Sequence, residues 1–300
     1  MKPPCFFLML LLLALPAFAQ APNKSLDEKI RAEIKDFKGK VTLFAKNLDT
    51  GASYGISEEE RVRTASTIKV PIMAATFALV AEGKVKWSDE LVLAKEKKVS
   101  GAGILPDFGD GLRLTLRDAV HLMIMLSDNT ATNLVLDHIS ADAVNERLEK
   151  FGLKLTRSLR KINGGGESKA FAESWNKKPD GSSSRYGIGV STPREMVELL
   201  EKIERGAIVS PEACKEMISI LKRQQYHDGI ARSVKGIETA TKPGALDALR
   251  SDIGILYTKR GRIALAITCD DMPDIDWSVD NAGQLLMARL SLLLIDGLGQ

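Results

Sequence analysis

Ser66 and Lys69 stand three residues apart at the head of the apolar run Ile68, Val70, Ile72, Met73, Phe77 and Val80. On a helix that spacing stacks the two side chains one above the other, which is the geometry a nucleophile needs from its base. A serine hydroxyl is a weak nucleophile at its own pKa, and a lysine in a desolvated pocket has its pKa lowered enough to take the proton. At a helix N-terminus the serine also lies near backbone N–H groups that face developing negative charge. The pair alone favours the plainer reading, Ser66 as a helix cap and Lys69 as a solvated helix residue.

A second group, Ser127-Asp128-Asn129, falls where a helix capped by Thr115 and running from Leu116 to Met125 gives way to a new helical pattern, with Asn133 one turn on. Ser127 offers a hydroxyl able to relay a proton, Asn129 an amide able to hold a substrate amide, and Asp128 a structural buttress. A simple cap at Ser127 or Asp128 fits the same residues. A third group, Lys242-Pro243-Gly244-Ala245, ends a strand pattern. Lys242 there attracts a substrate carboxylate, and Gly244 lets a substrate backbone lie along the strand. The N–H of Ala245, with that of Ser66, can form an oxyanion hole.

Folding must bring these groups together across a chain of 300 residues. Strand patterns occupy both ends: Lys40 to Lys46, a second strand through Tyr54 and Ile56, then Ile237 to Lys242, Ile253 to Thr258 and Ile263 to Thr268. A helix opened by the capping box Ser25-Leu26-Asp27-Glu28 leads, and one from Val279 to Ile295 ends the chain. From Ser66 to about Glu204 the pattern is mostly helical, with loops at 100–111 and 163–189. The expectation is an α/β (α+β) two-lobe fold. Residues 20–61 and 206–300 form an antiparallel β-sheet with flanking terminal helices, residues 62–205 form an inserted all-α lobe, and the cleft between them holds the site.

With 44% hydrophobic and 27% charged residues the chain is ordinary globular material. Lys2, the apolar stretch Phe6 to Leu15 and Ala17-Phe18-Ala19 read as a signal peptide over residues 1–19. This predicts a periplasmic or secreted protein, free of the membrane after cleavage. Without Lys2 the balance is 41 basic to 39 acidic side chains, so nucleic acid is not an expected partner. Cys214 and Cys269 could pair in an oxidising compartment, with two buried free thiols the favoured reading. His121, His138 and His227 form no His-Glu-x-x-His, and there is no cysteine pair at ligand spacing and no Gly-x-Ser-x-Gly elbow. Neither a zinc hydrolase nor an ordinary Ser-His-Asp esterase is therefore indicated. A monomer without metal or organic cofactor is expected.

Together, Ser66-x-x-Lys69, Ser127-Asp128-Asn129 and Lys242-Pro243-Gly244, in this order, resemble the motif set of the penicillin-recognising serine enzymes, above all class A β-lactamases. The resemblance runs from about Ser25 to the C-terminus and includes Thr192-Pro193 at a helix start and Asp252-Ile253-Gly254 in the sheet. It implies a β-lactamase/transpeptidase-like fold and a serine hydrolase acting on β-lactams. In that reading Ser66 attacks the lactam carbonyl, Lys69 takes and returns protons, and Ser127 protonates the leaving nitrogen. Asn129, Lys242, Gly244 and Ala245 place the substrate.

The chain departs from the family pattern twice. The third motif usually carries Thr or Ser where Pro243 stands, and proline has neither the hydroxyl nor an N–H; carboxylate binding then passes to Lys242 and Arg250. The family's deacylating glutamate has no clean counterpart. Matching Thr156-Arg157 and Arg160 puts Ile162 at its position, whereas counting back from Thr192-Pro193 points to Glu173, with Asn176 as its partner and Glu167 nearby. Glu173 is the favoured catalytic carboxylate. Ile162 instead motivates a D-alanyl-D-alanine peptidase or transpeptidase that acts on cell-wall peptides and deacylates slowly, and Pro243 motivates a non-catalytic periplasmic sensing module.

Overall fold

The computed structural model describes residues 24–175 and 186–299; the leader expected over residues 1–19 and Asn176 lie outside them. In chain order, α1 (Lys24–Ile34), β1 (Lys40–Asn47), β2 (Ser53–Ile56) and β3 (Val62–Arg63) lead into α2 (Lys69–Ala81). β4 (Glu90–Leu93) and β5 (Leu112–Thr115) precede α3 (Leu116–Met125), α4 (Asn129–Ile139) and α5 (Ala141–Lys150). After β6 (Arg157–Ser158), β7 (Gly189–Ser191), α6 (Pro193–Glu204) and α7 (Pro211–Lys222), the chain returns as β8 (Glu238–Leu246), β9 (Leu249–Thr258), β10 (Gly261–Asp270) and α8 (Ala282–Leu298).

Both ends of the chain build one antiparallel sheet in the order β2-β1-β10-β9-β8. β1 pairs with β10, Lys40 opposite Asp270 and Asn47 opposite Ile263. Alternation along the strands gives each face its own core. Leu43, Ala45, Ile263, Leu265 and Ile267 pack with Leu26 and Ile30 of α1 and with Leu290 and Leu294 of α8. Phe44, Ile253, Ile255, Ala264 and Ala266 pack the other way, into the same core as Met73 and Phe77 of α2 and Val197 of α6. Burying each Leu or Ile stabilises by roughly 1.5–3 kcal/mol, and a one-residue slip would exchange the two faces.

The boundaries that bear on the site hold closely. Thr115 caps α3 in a capping box with Asp118, and Thr192 caps α6 with Pro193 at its first position. Elsewhere the structure corrects the sequence reading. Ser25 lies inside α1 and does not cap it. β8 continues past Lys242 to Leu246; being an edge strand, it tolerates Pro243, whose nitrogen turned outward costs no ladder bond. The stretch read as helical also contains the β4–β5 hairpin and a small sheet, β3-β7-β6. α7, in a stretch read with the strands, buries Met217, Ile220 and Leu221 in the helical core. Cys214 and Cys269 are free, buried thiols in the cores on opposite sides of the sheet.

Candidate active site

The site begins with α2, whose residues from Lys69 to Leu79 are all buried. Only Lys69 and Thr76 are polar among them, and Thr76 satisfies its hydroxyl by donating to Ile72 O at 2.8 Å. Lys69 is therefore seated on a helix whose surroundings bury it on every side. A 3-10 turn, Ala65–Ile68, precedes it and carries Ser66. In such a turn residues three apart eclipse, so Ser66 and Lys69 stay on one side. Ala65 has φ +45°, a conformation that costs a non-glycine residue about 1–3 kcal/mol and that the surrounding packing must hold.

Gly244 of β8 explains how the turn is held. A Cβ at Gly244 would lie 2.8 Å from Ser66 N and 2.9 Å from Thr64 O, so only glycine lets β8 approach the Ser66 turn. The glycine's open side is filled by the protein's own backbone, where the sequence reading had placed a substrate backbone. Ala245 stays available. With the Pro243 nitrogen on the open edge of β8, two-residue alternation turns the Ala245 N–H to that same edge.

The break between α3 and α4 supplies the next residues. Ser127 turns the chain with φ +52°. Asp128, fully buried, then caps α4 by accepting from Ala131 N at 2.8 Å, and its other oxygen accepts from Ile104 N and Leu105 N at 2.7 and 2.9 Å. The buttress role is thus geometric: Asp128 fixes both the helix start and the loop that crosses it. Asn129 extends the clamp, donating from Nδ2 to Ser100 O at 3.1 Å and from its backbone N to Ala102 O at 2.9 Å.

Into this frame come two lysines, both with no exposed surface. Lys69 Nζ donates to Ser127 O at 2.7 Å, Asn129 Oδ1 at 2.9 Å and Ser127 Oγ at 3.2 Å. These three bonds hold the Lys69 ammonium on the Ser127 side of the site. Lys242 Nζ donates to Ser127 Oγ at 2.9 Å and to Pro243 O at 2.7 Å. Burial, aided by the charge of Lys242, holds the Lys69 ammonium well below the usual lysine range. Burial likewise brings Lys242 down to about 7, with Asp252 opposing the shift. Ser66, Ser127 and Asn129 open onto a cleft of about 560 Å³ walled on the sheet side by Pro243, Gly244 and Ala245.

A buried, pKa-lowered lysine beside two serines in a cleft is an arrangement for nucleophilic acyl transfer. The model of the β-lactamase enzyme family matches residues 25–298. The chain belongs to that family. It is a serine hydrolase of the class A β-lactamase type. β-Lactamase 3 of Bacillus cereus is 24% identical over 74% of this chain and 66% of its own length, just under two thirds. The crystal structure of β-lactamase from Sphaerobacter thermophilus DSM 20745 is 28% identical, covers 92% of this chain and 96% of its own, and superposes with a TM-score of 0.77. A mutant of PBP-A, in an acyl-enzyme complex with penicillin G, is 25% identical, with 91% and 96% coverage and a TM-score of 0.75.

Within this β-lactamase-family enzyme, the carboxylates suggested for deacylation stand away from the cleft lining. Glu173 is exposed on a single π-helical turn, Phe171–Trp175. Glu167 is exposed too, and its Oε1 accepts from Gly165 N at 2.9 Å. Ile162 is gripped instead: its N donates to Asn133 Oδ1 at 2.9 Å and its O accepts from Asn133 Nδ2 at 3.1 Å. Arg250 does reach the cleft wall, but its guanidinium is engaged by protein. Nη1 donates to Leu246 O and Leu249 O at 2.7 and 2.8 Å, Nη2 donates to Asp276 O, and the Trp277 ring lies 4.7 Å away. The sequence reading passed over Tyr226, Leu246 and Trp277, which also line the cleft. Exposed aromatic residues in polar loops were the available signal.

Proposed function

We propose that the enzyme opens the ring of penicillin-type β-lactams through a covalent Ser66 intermediate. The observation that carries this is the convergence of Lys69 and Lys242 on Ser127 Oγ. Neutral Lys69 takes the Ser66 proton as Oγ bonds to the lactam carbonyl carbon, and the N–H groups of Ser66 and Ala245 receive the oxyanion. The proton then passes from Lys69 through Ser127 Oγ to the lactam nitrogen as the C–N bond breaks, leaving an ester on Ser66. Charged Lys242 keeps the Ser127 oxygen oriented toward that nitrogen, and Asn129 aligns the substrate amide. Water completes the cycle by hydrolysing the ester. The enzyme acts as a monomer in the periplasm or outside the cell, after loss of its leader.

Release sets the second reading. Ile162, which the match of Thr156-Arg157 and Arg160 sets at the family's glutamate position and which Asn133 holds, favours a D-alanyl-D-alanine peptidase or transpeptidase that β-lactams acylate and leave slowly. Intact-mass measurements after mixing with benzylpenicillin distinguish the two readings. An adduct that clears within seconds supports the hydrolase, one that persists for hours supports the peptidase, and equal labelling of the Ser66→Ala variant refutes both.

A further inference from the structure

The cleft that begins at Ser66 and Ser127 runs over the edge of β8 to a second end, lined by Asp228, Asp252 and Gln284. Ile253 and Ile255 of β9 enter the helical core, so alternation sends Asp252 to the opposite face of the sheet. This end therefore lies on the α8 side, where Gln284 sits in the first turn of α8. Each of the three residues brings an oxygen that receives no donor. Asp228 is half-buried and, among the described residues, has neither a hydrogen-bond nor an ion-pair partner. Asp252 is 1% exposed; its Oδ2 accepts from Ile230 N at 3.0 Å, and its Oδ1 is buried without a partner. Gln284 Oε1 is buried and unpartnered as well.

The cations of the surrounding elements do not bond to these oxygens. Arg250 donates to Leu246 O, Leu249 O and Asp276 O, Arg232 to Val279 O and Asp280, and Lys242 to Ser127 Oγ and Pro243 O. Lys242 and Arg250 thus remain the cations for a substrate carboxylate. Burial raises Asp252 to about 7, so near neutral pH the formal charge at this end belongs to Asp228. Asp252 keeps acceptor capacity in either protonation state. Buried oxygens left without donors are costly, and an ammonium supplies three donors together with a charge to balance Asp228.

Resting on the acyl-enzyme reading above, we propose that this end of the cleft is a subsite for a cationic, N–H-bearing group of the substrate. Asp228 is its charge partner, and Asp252 Oδ1 and Gln284 Oε1 are its further acceptors. In that reading Asn129 aligns the substrate amide and Ser127 protonates the leaving nitrogen, so the ring built on that nitrogen extends toward β8 and past it. The preferred substrates are β-lactams whose ring carries an ammonium there in addition to its carboxylate.

Two cephalosporins with the same acylamino side chain and the same carboxylate, one with an aminomethyl and one with a hydroxymethyl group at C3, isolate the charge. Acylation of Ser66 by each is followed by intact mass on quenched samples of the whole mature enzyme, with benzylpenicillin in parallel. The ammonium compound is expected to acylate about tenfold faster than the alcohol at equal, subsaturating concentration, the scale of one charged hydrogen bond. Asp228→Asn, at a side chain that bonds to nothing in the fold, should bring that ratio below about twofold, and Gln284→Leu should lower it by about threefold. Equal rates for the two cephalosporins, or a ratio that Asp228→Asn leaves unchanged, overturns the proposal, while labelling by benzylpenicillin keeps the acyl-enzyme reading intact. Absence of a Ser66-dependent adduct from all three compounds overturns both.

Discussion

Lys69 and Lys242 donate to one and the same acceptor, Ser127 Oγ, from 3.2 and 2.9 Å. Burial, with the charge of Lys242 second, lowers Lys69, and burial brings Lys242 down, so one site holds a lysine held well below its usual range beside one that titrates near 7. On the proposed mechanism, acylation needs Lys69 without its proton and Lys242 with its own. The pH profile of kcat/KM should therefore have an alkaline limb that falls through about 7 as Lys242 loses its charge. Lys242→Arg, which keeps its proton, should shift the alkaline limb upward. An unmoved limb in that variant would assign it to another group.

Ile162 offers a gain-of-function experiment. Asn133 holds both its backbone N–H and its C=O, so the loop is fixed independently of the side chain. Ile162→Glu should place a carboxylate on that fixed backbone and speed loss of the benzylpenicillin adduct by about a hundredfold, the usual scale of general-base assistance. The decay of adduct mass gives the rate directly. An unchanged lifetime would mean that this loop position does not govern release.

Asp252 predicts a stability effect with a definite sign. Its Oδ2 accepts from Ile230 N at 3.0 Å, while its Oδ1 is buried without a partner. Burial pushes the carboxyl from 3.8 up to about 7. Between these values the folded chain holds a proton that the unfolded chain has released, so stability through this group falls as pH rises across the window. Asp252→Asn removes the titration, and its Tm should gain on the wild type as pH rises from about 4 to about 7. A Tm difference that stays constant over that range would argue against a protonated Asp252.

Much of this frame was legible in the residues because strong local signals coincide with tertiary roles. Thr115 and Asp118, and Thr192 and Pro193, are cap chemistry that the fold keeps, and the apolar run after Ser66 is as buried as its composition implies. The short strands β3, β6 and β7 span two or three residues each, too few for a period of two to register. α7 was readable from Ser210, which caps it, and Pro211 at its first position, but neighbouring strand patterns obscured it. Arg250 and Gly244 make contacts that the sequence did not indicate, for one reason. Their partners are backbone atoms of distant segments, and a sequence names side chains, not where carbonyls will point. Glu173 illustrates the same limit from the other side: counting residues gives a position along the chain, while exposure depends on how the loop folds back.

The pairing of β1 with β10 also bears on when the enzyme becomes reactive during its synthesis. Ser66 and Lys69 emerge early, yet Lys242 sits on β8, and the strand that joins the two halves of the sheet is completed only at Asp270. On the proposed mechanism, a chain that has not yet reached β8 carries Ser66 and Lys69 without the charge of Lys242 that helps to lower the Lys69 pKa.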